Sequence, residues 1–206
     1  MKKIFLTILI TSILSCKAQN QTTYETISLE DNSIEYALTG KYYKDINNTL
    51  NNFTGTFLYT NGSTSFKIIL QKKLQSSVND RYKEDILIGS YQYIENGVEK
   101  INVLNSINDN HSNGWKYNIH GNNILVGQTL GCTDCNANEK WIRGTIYDPL
   151  PNGGGPATIF IRKTTVGSQE AIIVWIYMEM YVATGNSAPI NSIAYPIGEK
   201  FTLIKQ

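Results

Sequence analysis

Apolar and polar residues alternate along most of the chain after Phe53, which is the period of a half-buried β-strand. Asn61-Gly62 and Asn96-Gly97 interrupt this alternation between runs rich in β-branched and aromatic residues. A type I′ turn needs positive φ at both central positions, which Asn and Gly tolerate, so each pair predicts a hairpin. The predicted strands are 55–59, 65–71, 82–94, 98–107, 115–120, 123–126, 140–147, 157–163, 171–181 and 201–204.

Tandem hairpins place neighbouring strands side by side in an antiparallel meander, and no capped run with helical spacing interrupts them. We therefore expect a single all-β domain over residues 53–206, either a barrel or a sandwich of about eight to ten strands. Residues 16–52 form a polar linker with one alternating stretch, 34–38, as a candidate short strand. The Asn-rich segment 45–52 predicts a loop.

The longest predicted strand, 171–181, indicates which side chains face the core. One face carries only aliphatic and thioether side chains, and burying each contributes on the order of 1.5–3 kcal/mol. We expect this face to point inward. The opposite face, which carries the aromatic side chains, should be partly exposed to solvent. The inward set is Ile172, Val174, Ile176, Met178 and Met180, and the outward set is Ile173, Trp175, Tyr177, Glu179 and Tyr181.

The N-terminus has the composition of an export signal. Lys2 and Lys3 precede the apolar run 4–14, which is shorter than the roughly 20 residues of a membrane-spanning helix but fits a signal-peptide core. The run ends at Ser15-Cys16, which resembles the lipobox of bacterial lipoproteins, whose cysteine is acylated and becomes the new N-terminus. This predicts a lipoprotein signal peptide at residues 1–15 and a membrane anchor through a lipid on Cys16. An ordinary signal peptide is the alternative.

Charge and composition narrow the expected partners. Loss of Lys2 and Lys3 from 18 basic residues leaves 16 against 17 acidic ones, whereas a protein that binds phosphate backbones is usually clearly basic. We therefore expect no nucleic-acid partner. The hydrophobic content of 41% argues against disorder, and 13 Tyr and 22 Asn fit strands and turns. Residues 17–20 carry no acidic run, which favours a periplasm-facing anchor in the cell envelope.

Three stretches and the Ser15–Gln19 junction resemble an uncharacterised family of Bacteroidota lipoproteins of about this length. The stretches are 53–62, 82–100 and 201–206, and the resemblance spans essentially the whole chain. The family is a domain of unknown function, so it implies no catalytic residues. Phe53-x-Gly55-x-Phe57 is also loosely similar to the Gly-x-Trp opening of lipocalin-like barrels, with Phe in place of Trp. This similarity implies a meander barrel.

Cys132 and Cys135 form a Cys-x-x-Cys motif. No βαβ pattern surrounds it, so thioredoxin-type redox chemistry is not expected. Zinc would need two more ligands, and His111 and His120 do not stand at a zinc-finger spacing. We expect a disulfide in an oxidising envelope, with about 2 kcal/mol of stabilisation from the short loop. Two free thiols are the alternative, and no metal or cofactor site is expected.

No catalytic constellation is visible in the sequence. Glu84 and Asp85 are adjacent, so a strand places them on opposite faces, and no Gly-x-Ser-x-Gly elbow accompanies the histidines. The Gly-rich segment 149–156 lacks the Gly-Lys-Ser/Thr and the following helix of a phosphate-binding loop. It predicts a strand connection. We therefore expect no catalytic residues.

Trp175, Tyr177 and Tyr181, joined by Tyr91 and Tyr93, can form a stacking face for a sugar or another flat ligand. The alternative is an outer barrel face covered by a loop or by the N-terminal segment. The sequence thus predicts a lipid-anchored envelope protein that acts as a non-catalytic binding or interaction module. Its partner would be a small apolar or sugar ligand or an envelope protein. An envelope hydrolase with an unrecognised site and a purely structural β domain are the alternatives.

Overall fold

The structure, a computed structural model, describes residues 23–31, 38–127, 135–149, 155–177 and 194–206. These ranges contain eleven strands and three short 3₁₀ helices, at Thr49–Phe53, Leu104–Asn108 and Gly114–Lys116. The strands are β1 (Glu25–Ser28), β2 (Lys41–Lys44), β3 (Gly55–Asn61), β4 (Thr64–Val78), β5 (Tyr82–Glu95), β6 (Val98–Asn102), β7 (Ile119–Val126), β8 (Lys140–Tyr147), β9 (Pro156–Val166), β10 (Gln169–Tyr177) and β11 (Lys200–Lys205).

Eight of the strands close into an up-and-down antiparallel barrel. Hydrogen bonding runs from β3 through β4, β5, β7, β8, β9, β10 and β11, and β11 pairs again with β3. The closed path of strand pairing confirms the expected all-β antiparallel meander. It also shows that the fold is a barrel and not a sandwich. The three remaining strands attach to β5, with β2 parallel to its start, β1 beside β2, and β6 antiparallel to its end.

Side chains of the barrel strands fill the interior. Ile172, Val174 and Ile176 are fully buried on β10, which confirms the predicted inward face; Met178 and Met180 lie outside the described residues. The inward side chains of the other barrel strands join them in one contiguous hydrophobic cluster. An eight-stranded barrel is about wide enough for its own side chains to fill, and the described inward side chains pack against one another in this way.

Both predicted hairpins form, and their turns differ. Asn96 and Gly97 have φ of 49° and 79°, the positive pair that a type I′ turn requires. In the other hairpin Asn61 pairs with Thr64, so the two-residue loop is Gly62-Ser63. Only Gly62 has positive φ there, at 58°. This is the pattern of a type II′ turn, so the expectation of a type I′ turn at Asn61-Gly62 was wrong by one residue.

The Asn-rich segment 45–52 does more than connect elements. It leads into the first 3₁₀ helix, whose Leu50 and Phe53 are buried in the same cluster as the barrel side chains. The prediction of a loop therefore missed an element that packs against the barrel. Asp45 directly follows β2 and fixes this helix, because its carboxylate accepts hydrogen bonds from the amides of Thr49 and Leu50 at 2.8 and 3.0 Å.

Asp45 belongs to a buried polar network that ties the N-terminal segment to the barrel. Lys72 of β4 lies 2.7 Å from its carboxylate, with that carboxylate fully buried. Asp85 of β5 accepts hydrogen bonds from the hydroxyl of Tyr42 and the amide of Asp45, at 2.7 and 3.0 Å. Each carboxylate oxygen of Asp45 and of Asp85 thus accepts a hydrogen bond, which is the condition under which burial of a charge is tolerated.

Strand β5 is covered on both faces. Its inward side chains include Tyr91 and Tyr93, whereas Ile86 and Ile88 face outward and pack against Ile107 and Tyr117 in a second cluster. The covering segment contains the 3₁₀ helices Leu104–Asn108 and Gly114–Lys116. The predicted strands 98–107 and 115–120 were therefore too long, because β6 ends at Asn102 and β7 begins at Ile119.

Replacing Asp45 with Ala should be strongly destabilising. The change leaves Lys72 buried without its partner and removes the cap of the first 3₁₀ helix, so we expect a loss of about 3–5 kcal/mol. Glu25→Ala is the matched control, since it breaks the exposed Lys41–Glu25 pair, which should contribute about 1 kcal/mol or less. Urea denaturation of both variants measures the difference. Equal losses would contradict a structural role for the network.

Candidate functional site

A β-bulge in β7 creates the most distinctive feature of the outer barrel surface. His120 pairs with Thr145 and Asn123 pairs with Arg143. Two residues therefore separate this pair of positions on β7, whereas only one residue separates their partners on β8. The extra residue reverses the alternation, and Ile119 and Ile124 both point into the core although five positions separate them. Between them His120 and Asn123 share the outward face, because their partners Thr145 and Arg143 lie two residues apart on β8.

Two glycines allow the strands to approach closely at this bulge. A Cβ on Gly121 would lie 2.4 Å from the Cα of Gly144, and one on Gly144 would lie 2.5 Å from the carbonyl oxygen of His120. Real Cβ atoms do not come so close to backbone, so neither position accepts a side chain without separating β7 from β8. The glycines therefore fix the place at which the outer surface is indented.

The indentation is an open cleft of about 170 Å³. Strands β7, β8 and β9 form its floor, and Trp115 of the third 3₁₀ helix stands at its side. Its size suits a small polar molecule, since typical sites for drug-sized ligands are larger. The lining residues are Trp115, His120, Gly121, Asn122, Asn123, Arg143, Gly144, Thr145 and Thr158.

A buried carboxylate holds one side of the cleft. Glu84 of β5 is fully buried, and its two oxygens accept hydrogen bonds from Nε1 of Trp115 and from Nδ2 of Asn122, the latter at 2.8 Å. The indole of Trp115 is 43% exposed, so it presents ring surface to solvent while its polar edge is fixed. Its ring centre lies 5.1 Å from that of His120.

His120 has a defined tautomer. Its Nδ1 lies 2.9 Å from the carbonyl oxygen of Tyr117, and because a carbonyl only accepts, Nδ1 carries the proton. Burial lowers the pKa of His120, against a smaller opposite effect of the Tyr117 hydrogen bond, so the ring is neutral at pH 7. Nε2 is then a hydrogen-bond acceptor at the cleft, without a partner among the described residues.

Four further polar side chains line the cleft without internal partners. The side chains of Asn123, Arg143, Thr145 and Thr158 make no hydrogen bond or ion pair with the part of the chain that is described. With His120 they form a set of convergent donors and acceptors that only water or a ligand can satisfy. The arrangement is typical of a binding site for a polar molecule.

The outward side chains of β7 to β11 form two rows beside the cleft. Ladder pairing places His120, Thr145, Thr158 and Tyr177 in one row. The second row contains Asn123, Arg143, Phe160, Trp175 and Lys200. Ladder partners on one face have Cβ atoms about 4.5–5.5 Å apart, so Tyr177 lies next to the cleft.

The predicted aromatic face is only partly assembled. Trp175 is half-buried against Phe160, with ring centres 5.6 Å apart, and Tyr177 is 45% exposed. Tyr181 lies outside the described residues. The expectation that Tyr91 and Tyr93 join this face was wrong, because their side chains are buried inside the barrel.

The predicted cysteine sites are only partly within the described chain. Cys16 and Cys132 lie outside it. Cys135 is disulfide-bonded and packs with Trp141 and Phe160 on the outer surface. The Cys132–Cys135 pairing and the lipid on Cys16 remain predictions.

Acidic and histidine residues do not form a metal site in the described ranges, where no group of three or more potential ligands was found. Glu84 and Asp85 serve separate networks, as expected for neighbours on a strand. None of the described helices is long and apolar enough to cross a membrane.

The fold and cleft define a closed up-and-down β-barrel with a polar cleft on its outer surface. The chain belongs to the Family of unknown function (DUF6705), whose model matches residues 1–206. No curated protein and no solved structure matches it.

Gly114→Ala should displace Trp115. The new Cβ would lie 2.5 Å from Cγ2 of Ile86 and 3.2 Å from Oγ of Ser76, so the third 3₁₀ helix must move away from β5. We expect a loss of about 1–3 kcal/mol and a changed chemical shift for one indole N–H in nuclear magnetic resonance spectra. The neighbouring exposed Ser112→Ala is the control, and an unchanged indole spectrum in Gly114→Ala would contradict the packing described.

The lowered pKa of His120 predicts a dependence of stability on pH. In the unfolded chain histidine protonates near pH 6.5, whereas in the native protein His120 stays neutral to lower pH. Between these two pKa values the unfolded state binds more protons, so the free energy of unfolding falls as the pH falls. We therefore expect His120→Gln to lose less stability than the unmodified protein between about pH 7 and pH 5.

The matched control for this measurement is the exposed Ser112→Ala, which removes no titratable group. It should retain the pH dependence of the unmodified protein in the same urea titrations. Identical slopes for all three proteins would contradict the assignment of this effect to His120.

Proposed function

We propose that the protein is a lipid-anchored cell-envelope module that binds a small polar ligand in its outer cleft without transforming it. One observation carries the proposal. Nε2 of His120 and the side chains of Asn123, Arg143, Thr145 and Thr158 line an open cleft and have no hydrogen-bond partner within the described protein.

The packing of side chains inside the barrel supports a binding site on the outer surface. Its inward side chains pack against one another in a single cluster, and Leu50 and Phe53 of the first 3₁₀ helix extend that cluster. Tyr195 belongs to it too, with its hydroxyl donating to the carbonyl of Gly155 at 2.7 Å. A hollow ligand-carrying barrel would instead present a large apolar cavity.

The geometry of the cleft favours binding over catalysis. Thr145 is the ladder partner of His120, but no hydrogen bond joins their side chains, so the hydroxyl is not activated as a nucleophile. Glu84 is fully buried, and its oxygens already accept from Trp115 and Asn122. The neutral His120 is the one feature that favours the second candidate, an envelope hydrolase, since its open Nε2 can act as a general base.

The proposed anchor is supported by the sequence alone. Residues 1–15 have the charge and apolar pattern of a signal peptide, and Ser15-Cys16 stands where a lipobox cysteine is expected. The near-balanced charge of the processed chain offers little attraction to anionic lipid, so attachment would depend on the acyl chains. The lack of acidic residues at 17–20 supports a periplasm-facing orientation.

Solvent mapping tests the location of the binding site. Crystals of the protein are soaked in 2-propanol and, separately, in dimethyl sulfoxide, and bound probe molecules are located by diffraction. We expect both probes to collect in the cleft beside Trp115. Probes that gather inside the barrel would support a ligand-carrying barrel instead, and probes that gather nowhere would favour a purely structural domain.

Replacing Cys16 with Ser tests the anchor. Cells that express the full chain are labelled with a fatty acid that carries an alkyne, and the purified protein is examined for label. We expect label on the unmodified chain and none on Cys16→Ser, because acylation requires the thiol. Cys135→Ser controls for loss of a different cysteine and should keep the label; label on Cys16→Ser would show that the lipobox prediction is wrong.

A further inference from the structure

We infer that the cleft takes one ring of a neutral saccharide, and that the next ring of a short chain lies over Tyr177. The inference rests on the proposed binding function and adds the chemical class of the ligand. It depends on three features of the described surface: the mixture of donors and acceptors, the fixed indole of Trp115, and the row of side chains that leads out of the cleft.

The side chains of the cleft match a ligand that both donates and accepts hydrogen bonds. Arg143 only donates, whereas Nε2 of the neutral His120 only accepts, because Nδ1 carries the proton. Thr145, Thr158 and Asn123 do both. A hydroxyl has one donor and two acceptor sites, so neighbouring hydroxyls on a sugar ring match this set.

A simple anion matches it less well. Carboxylate or sulfate would accept from Arg143 but would offer no proton to His120 Nε2, and inorganic phosphate could offer one only by bringing its negative charge into the cleft. Arg143 is also the only cationic side chain in the lining, and the carboxylate of Glu84 lies behind Trp115 and Asn122. An anion would therefore meet one positive charge close to a buried negative one.

Trp115 supplies an apolar surface at the side of the cleft. Its Nε1–H is held by Glu84, and Gly114 packs the same 3₁₀ helix against Ile86 of β5 without room for a side chain. The ring is therefore fixed before a ligand arrives, while 43% of the residue remains exposed. The negative face of an aromatic ring attracts the weakly positive C–H groups on the face of a sugar.

The row of outward side chains that contains His120, Thr145, Thr158 and Tyr177 indicates the direction in which a longer ligand would leave the cleft. Thr158 in the cleft is the ladder partner of Tyr177 on β10, so their Cβ atoms are about 4.5–5.5 Å apart. Tyr177 is 45% exposed and its ring centre lies 5.8 Å from that of Trp175. A second sugar ring that leaves the cleft along this row would meet an aromatic surface.

Titration of the full-length chain with neutral disaccharides tests the inference. The protein is held in a zwitterionic detergent without sugar headgroups and is titrated separately with maltose, cellobiose, mannobiose and chitobiose, while indole N–H resonances are followed. We expect at least one of these sugars to shift the Trp115 resonance in a saturable way, and sodium phosphate to leave it unshifted. Absence of a saturable shift with all four sugars, or a shift with phosphate alone, would overturn the inference.

Paired variants separate a specific site from general surface contact. Thr145→Val/Thr158→Val keeps the shape of both side chains and removes two hydroxyls from the cleft, so the dissociation constant should rise about tenfold or more. Thr164→Val/Thr165→Val makes the same change on β9 away from the cleft and should leave binding unchanged. Equal affinities in the two variants would overturn the assignment to this cleft.

A third variant tests the path of the chain out of the cleft. Tyr177→Ala should weaken disaccharide binding several-fold and leave binding of the corresponding monosaccharide unchanged, because a single ring would not reach β10. Equal weakening of both would contradict the proposed direction. If solvent probes occupy the cleft but no sugar binds, the saccharide inference fails while the binding function stands; if probes avoid the cleft, the proposed site itself fails.

Discussion

The outer cleft depends on the buried carboxylate of Glu84. A charge without access to water is strongly unfavourable unless donors surround it, and Glu84 meets this requirement with Trp115 Nε1 and Asn122 Nδ2. These donors come from the third 3₁₀ helix and from β7, so one side chain of β5 fixes the position of both elements. Loss of either hydrogen bond would take a donor away from a buried charge. The position of the exposed indole thus follows from the electrostatics of a residue that no ligand can touch.

The packing inside the barrel favours a candidate site on its outer wall. The inward side chains of the described strands form one cluster, and β11 pairs with β3 to close the described sheet. On the outer face, side chains of neighbouring strands form rows at fixed spacing. The bulge in β7 changes the alternation by bringing His120 and Asn123 to the same face, and the close approach of Gly121 and Gly144 indents the surface there.

Local patterns predicted most of the barrel. Strand β8 has the predicted bounds 140–147, the aliphatic face of β10 points inward as expected, and Asn96-Gly97 forms the predicted turn. These features depend on alternation and turn chemistry, which a sequence displays directly. Leu50 and Phe53 stand as isolated apolar residues in a polar segment, and their burial depends on distant strands. The cleft escaped prediction for the same reason: His120, Thr145 and Thr158 are far apart in sequence and meet only through strand pairing.

A site built on a barrel wall differs physically from one built on loops. Ladder hydrogen bonds fix the backbone of β8 and β9 on both sides, and β7 pairs with β8 and, over Ile119–Gly121, with β5. The polar side chains of the cleft therefore need little ordering when a ligand binds. Binding to such a surface costs less conformational entropy than binding that must immobilise a loop. The cost instead lies in the protein itself, since the side chains of Arg143, Thr145 and Thr158 form no hydrogen bond with the described part of the chain. A surface that holds unpartnered donors and acceptors on a rigid sheet is therefore better suited to recognition than to support of the fold.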